Sequence, residues 1–232
     1  MDPRLSLGAI LIVLPVLFNV FFAALARAFD YPDILRHPPE EILTRFAAGG
    51  SRLILLWWAF MLTAVALVPV AALLAVELGS AGPWLAQLGL VLGVAAGLTQ
   101  ALGLARWPFL VPMLVRRYAD ATTDAERGAV LIIFDTANRY LGVAVGEHLG
   151  YLLTGAWTLV VGIALIASPE ASDILGWLGV ALGALIAIGS LEFVGRSGSR
   201  GWPTAERLVP LAYAGWSVWL VALGIALLMD WR

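Results

Sequence analysis

The sequence contains no cysteine and no lysine, and only two histidines, His37 and His148. Without cysteine the chain forms no disulfide, binds no metal through thiolate and uses no cysteine nucleophile. Two imidazoles are too few for a three-histidine zinc site, so no metal ligand is assigned. Genomic base composition accounts for the missing lysine, which leaves arginine to carry every strong side-chain cation. Charge itself is scarce: 13% of residues are charged against 61% hydrophobic, and the mean hydropathy is +0.92. That balance excludes an ordinary soluble domain. No basic patch is interleaved with aromatics on a polar surface, which argues against nucleic acid as a partner. The net charge of −2 says little about partners, because its distribution along the chain matters more.

What is present are six long apolar runs, at 5–28, 53–78, 84–105, 142–167, 174–194 and 208–229. A bilayer's hydrocarbon core is roughly 30 Å thick, so a crossing helix needs about 20 apolar residues. The connections are short, so the expectation is one all-α domain over 1–232, a polytopic bundle of six transmembrane helices in contact with the lipid bilayer. The fourteen arginines divide unevenly between the connections. The first holds Arg27, Arg36, Arg45 and Arg52, the third Arg116, Arg117 and Arg127, and the fifth Arg196, Arg200 and Arg207. The second and fourth hold none. Short arginine-rich loops stay in the cytoplasm, which places both termini on the outer face. Ala24-Leu25-Ala26 and Ala26-Arg27-Ala28 resemble signal-peptide cleavage sites, but the apolar stretch is too long and its head too weakly basic. The first run is therefore expected to be a retained helix.

Pro15 and Asn19 lie in the first helix and Pro69 in the second, where proline removes a backbone bond and often bends a helix. In the first connection, Tyr31-Pro32-Asp33 suits a turn. Pro39, Glu40 and Glu41 suit a helix start, Ile42, Leu43 and Phe46 form an apolar stripe, and Gly49-Gly50 ends it. The segment reads as a short amphipathic helix in the inner interface. Gly79 to Pro83 and Ser168-Pro169 mark tight external turns, and Ser197-Gly198-Ser199 marks a flexible fifth connection.

The third and fourth helices form an unusual hairpin. Apolar character runs past Arg106 to Val115 and resumes at Ala129. Thr123 with Glu126 is a capping-box signature, so the fourth helix is expected to start there. From Asp124 to Ala167 it would be about 66 Å long, twice a bilayer core. The hairpin must project into the cytoplasm, or break near Pro108, Pro112 and Gly142. Glycine recurs every fourth residue at Gly89, Gly93 and Gly97, and again at Gly142, Gly146 and Gly150. A hairpin centred between Ala121 and Thr122 pairs Gly97 with Gly146 and Gly93 with Gly150, a spacing that lets helix backbones approach closely in lipid.

The stretches FDYPDILRHPPEEILTRFAAGG, QALGLARWPFLVP and NRYLGVAVGEHLGYLLTGAWT resemble a bacterial six-helix membrane family, domain of unknown function 4386. The similarity runs from residue 29 to about 159. It implies six helices and a bacterial inner membrane, and it brings no activity, cofactor or catalytic residue with it.

Ionisable groups in membrane helices are costly and often functional. Arg106 follows the third apolar run, and Asp135, Asn138 and Arg139 share one face of the fourth helix, so an Arg106–Asp135 ion pair is one reading. The other is a polar layer at the inner interface, with Arg106 snorkelling to lipid phosphate beside Trp107. Glu147 and His148 form the strongest candidate, inside the apolar part of the fourth helix. Glu147 is expected opposite Thr99 and Gln100, and His148 further round, towards Asn19 or another helix. The pair either binds a ligand's polar head or relays a proton, or else it is a satisfied core pair that sets helix register. His37 suits a solvated or capping role, Glu192 solvation or a pair with Arg196, and the ten tryptophans an interfacial belt. Three function classes follow: a binding or accessory protein holding a lipid, quinone or pigment or docking on a larger membrane complex, an intramembrane enzyme using Glu147 and His148, and a small transporter. The lack of cysteine and of a nucleophile motif weighs against the enzyme. The lack of an internal repeat with paired broken helices weighs against the transporter. No catalytic residue or cofactor is assigned.

The arginine asymmetry generates a topology prediction. Single cysteines at Ser80 and Ser197, in an otherwise cysteine-free chain, are treated in intact cells with an impermeant thiol reagent. Ser80→Cys should label and Ser197→Cys should not; the opposite pattern inverts the orientation.

Overall fold

In lipid the backbone has no water to bond, so every crossing segment must satisfy its own amides, and helices do this segment by segment. The computed structural model describes residues 3–194 and 202–229, which are helices joined by short turns. Arg196, Arg200 and the Ser197-Gly198-Ser199 connection lie outside the described residues. The helices are α1 (Pro3–Phe29), α2 (Pro39–Glu77), α3 (Pro83–Ala105), α4 (Val111–Asp120), α5 (Asp124–Ala137), α6 (Gly150–Ala167), α7 (Asp173–Gly189) and α8 (Pro203–Leu228). Two π-helical segments, Arg106–Leu110 and Asn138–Leu149, join α3 to α4 and α5 to α6. Six helical stretches are long and apolar enough to cross a membrane. The protein is thus an all-α, multi-pass bundle.

Local chemistry sets the helix ends. Pro39, Pro83 and Pro203 occupy first-turn positions, where a missing N–H costs nothing. The Thr123 hydroxyl accepts from the Glu126 amide at 3.2 Å and Glu126 accepts from the Thr123 amide at 3.1 Å, completing the expected capping box. Gly50, at φ 54 and ψ −151, interrupts α2 in a conformation that a side chain would strain. The helical segment before it carries Ile42, Leu43 and Phe46, the stripe expected to lie against the membrane surface. All three are buried in the protein. Helices α1 and α2 continue through Pro15 and Pro69.

The spans close a ring in chain order. α1 packs on α2, α2 on α3, α3 on α6, α6 on α7, α7 on α8, and α8 returns to α1. The stretches Pro83–Asp120 and Asp124–Ala167 are 38 and 44 residues long. Even tilted by ~40°, helices of this length exceed a bilayer core. The hairpin therefore both breaks, through its π segments, and projects on the arginine-rich end. The apolar core divides accordingly. One cluster, including Leu11, Leu74, Trp157, Leu165, Trp216 and Leu220, fills the ring of spans. A second, including Phe29, Ile34, Phe46, Trp57, Trp107, Leu114 and Phe134, ties the projecting hairpin to the first connection and the start of α2.

Close backbone approaches hold the ring, but not in the expected register. Gly146 lies against Gly103, not Gly97: a Cβ on Gly103 would come within 2.5 Å of the Gly146 Cα. Gly150 faces Gln100, Gly97 faces the Ala64 carbonyl of α2, and Gly93 faces Ala71 and Trp157. A π turn advances less along the axis per residue than an α turn, so the long π segment slides the hairpin register. A second close seam joins α6 to α7. There Gly155 meets the Gly183 carbonyl and Gly162 meets the Gly176 carbonyl, at 2.6 and 2.7 Å from an added Cβ.

Gly146→Leu and Gly183→Leu should each lower stability by at least ~1–3 kcal/mol, because a branched side chain cannot enter a backbone contact. Gly128, in α5, has open space at its Cβ position. Gly128→Ala should be neutral or gain up to ~1 kcal/mol from helix propensity. Thermal unfolding in detergent checks all three; a seam variant that melts like the parent removes that contact from the framework.

Candidate functional site

The two apolar clusters meet at a polar layer, and Arg106 is its centre. It opens the first π segment and is 7% exposed. Its guanidinium donates to the Asn138 Oδ1 from Nε at 3.2 Å and from Nη2 at 3.0 Å, and to the Gly103 carbonyl from Nη1. Space for it exists because Gly142 has no side chain; a Cβ there would lie 2.7 Å from Nη2. Arg106 also lies 5.1 Å from the centroid of the Trp107 ring. The Arg106–Asp135 ion pair does not form. Asp135, in the last turn of α5, faces outward, exposed beside Pro39 and Ile132, and Arg139 is exposed as well. Asn138, three residues on, faces Arg106. Nor does Arg106 snorkel to lipid, since its guanidinium is enclosed by protein acceptors.

Glu147 follows Gly146, so the Gly103–Gly146 contact fixes its position. Its carboxyl makes no hydrogen bond or ion pair with the described residues, and it retains partial exposure. Arg106 and Glu192 are within electrostatic reach of it. Gln100, expected opposite Glu147, lies against Gly150 and donates to the Thr154 hydroxyl at 2.7 Å. Thr99 bonds back to the Ala95 and Ala96 carbonyls of its own helix. His148 does not meet Asn19. Its Nδ1 lies 2.7 Å from the Ser190 carbonyl at the end of α7, while the Asn19 amide donates to the Pro15 carbonyl and the Ser217 hydroxyl. About 30 Å of helix separates Pro83 from Gly103, roughly the thickness of a hydrocarbon core.

Three of the five tyrosines converge here, which sequence reading missed. Tyr31 contacts the rings of Phe22 and Trp57 at 5.4 and 5.0 Å. Tyr151 contacts Tyr213 at 5.3 Å, and Tyr213 contacts Phe18 at 6.4 Å. Glu147 is within electrostatic reach of Tyr31 and Tyr151. Burial, reinforced by the Glu147 carboxyl, holds the Tyr31 phenol above its ordinary range. The only signal in the sequence was the rarity of tyrosine. Tryptophan misled in the other direction. Trp57, Trp107, Trp157, Trp216 and Trp219 are core residues, with Trp57 and Trp107 stacked at 4.6 Å, while Trp58, Trp84, Trp177 and Trp202 face outward. His37 pairs with Glu41 at 3.0 Å.

A ring of six membrane-length helices around a polar layer defines a multi-pass integral membrane protein. The chain belongs to the family described as Domain of unknown function (DUF4386), whose model matches residues 6–224. No curated protein and no solved structure matches the chain.

Removing the Arg106 acceptor tests the layer. Asn138→Ala should cost ~1–3 kcal/mol, the penalty for leaving buried donors unpaired, whereas Asn138→Asp should be tolerated. Asp135→Ala should stay within about 0.5 kcal/mol as a surface change. Equal melting of the Asn138→Ala and Asp135→Ala proteins would contradict this assignment.

Proposed function

We propose that the protein is a binding protein of the bacterial inner membrane that holds an amphiphilic molecule, its tail among the spans and its polar head at Glu147. One observation carries this reading. Glu147 carries a carboxyl that makes no hydrogen bond or ion pair with the described residues, while the Gln100 amide, the Arg106 guanidinium and the His148 Nδ1 have protein partners. An unsatisfied carboxyl in an apolar bundle is expensive, and a ligand that completes it offsets the cost. With both termini on the outer face, the head lies towards the cytoplasm. His148 acts as a positioning residue, tied to the Ser190 carbonyl and anchoring the second π segment to α7.

The protein is purified in mild detergent, and bound lipophiles are extracted and identified by mass spectrometry. A lipid, quinone or pigment near one per chain is expected. Glu147→Gln should retain at least about tenfold less of it with unchanged melting, the effect of losing roughly 1.4 kcal/mol of head contact. His148→Ala should melt lower and still bind. A lipophile retained equally by the Glu147→Gln protein, or none at all, counts against the proposal.

A further inference from the structure

Helices α8, α1 and α2 are consecutive members of the ring. On each, a stripe of exposed apolar side chains ends in an exposed arginine. In α1 the stripe is Val13, Val20 and Arg27, at the seven-residue spacing that keeps to one side of a helix. In α8 it is Arg207, Leu211 and Val218, and in α2 it is Arg52, Leu55 and Leu62. The three arginines also stand at similar depth. Asn19 of α1 reaches Ser217 of α8, so the antiparallel register carries Arg27 level with Val209, about 3 Å along the axis from Arg207. Phe29 meets Trp57 and Phe22 meets Phe60, which sets Arg27 between the levels of Leu55 and Ala59, with Arg52 about one to two turns beyond.

Other arginines are engaged: Arg45 with Asp30 and Glu41, Arg127 with Asp124, and Arg106 with Asn138. Arg27, Arg52 and Arg207 make no hydrogen bond, ion pair or ring contact with the described residues. We infer that this face binds an anionic phospholipid whose head carries two phosphates, with its tails on the three stripes and its phosphates bridging the arginines. A guanidinium fork matches the oxygens of a phosphate two at a time. Packed helices stand roughly 8–10 Å apart, so arginines on three helices spread wider than one phosphate spans. Two phosphates joined in one head meet that spread. A zwitterionic head brings its own ammonium group, which the arginines repel. The apolar stripes below the charges give the tails a surface for which a free anion has no use. Glu147, on the π segment packed against α3, takes no part.

The protein is purified in detergent micelles containing small equal fractions of cardiolipin, phosphatidylglycerol and phosphatidylcholine, and bound lipids are counted by native mass spectrometry. Cardiolipin should be retained about tenfold over either other lipid. Combining Arg27→Gln, Arg52→Gln and Arg207→Gln should abolish that preference at unchanged melting. Arg116→Gln with Arg117→Gln, on the projecting α4, should leave it intact. If the triple variant melts lower than the parent, the single Arg27→Gln and Arg207→Gln proteins decide, each expected to lose at least about threefold in retention. Equal retention of the three lipids overturns the site. So does a preference that survives the substitutions, or one that falls as far in the Arg116 and Arg117 control. Displacement of cardiolipin by millimolar pyrophosphate shows that the free anion suffices, and overturns the assignment to a lipid.

Discussion

A guanidinium buried at the junction of two apolar clusters cannot be left without acceptors, and much of the fold follows from meeting that demand. Arg106 needs three things at once: an acceptor on the facing helix, a carbonyl within its own stretch, and room. Asn138, Gly103 and Gly142 provide them. Each is an unremarkable residue in isolation. Together they lock the third span to the fourth at one depth, because moving either helix by a turn would strand the charge in an apolar core.

The π segments make that depth compatible with the rest of the ring. Pro108 cannot donate a backbone bond inside the first, and the second runs for twelve residues between α5 and α6. Wider turns change which side chains face inward. Asn138 turns to Arg106 while Asp135 stays at the surface, and Gly146 meets Gly103 a turn and a half from the position that regular helices would choose. Beyond these segments the hairpin leaves the hydrocarbon region and is held by a core of its own, in which Trp57 and Trp107 stack and the Ile42, Leu43 and Phe46 stripe is covered.

Glu147 differs from the polar groups bonded nearest it. Asn138, Gln100, Thr154 and His148 have protein partners, as expected of buried donors and acceptors, whereas the buried Tyr213 hydroxyl and the Trp57 and Trp107 indole N–H groups have none among the described residues. This carboxyl has none among the described residues, yet the same seam that seals Arg106 holds it in place.

Composition and charge placement determined the class of protein. Six runs of bilayer length admit only helices, since exposed strands or loops would leave amides unbonded in lipid. The capping box at Thr123 and Glu126 and the helix start at Pro39 were equally legible, because caps depend on residues a few positions apart. Tertiary structure decided the register and the site. Gly97 and Gly103 lie about 120° apart on a helical wheel, and the structure turns Gly103 to Gly146 and Gly97 to α2. The Gly155–Gly183 seam, the pairing of His148 with Ser190 and the meeting of Tyr31, Tyr151 and Tyr213 join residues from separate helices. Local periodicity carries no information about which of those faces will meet, because that depends on how all six spans close the ring.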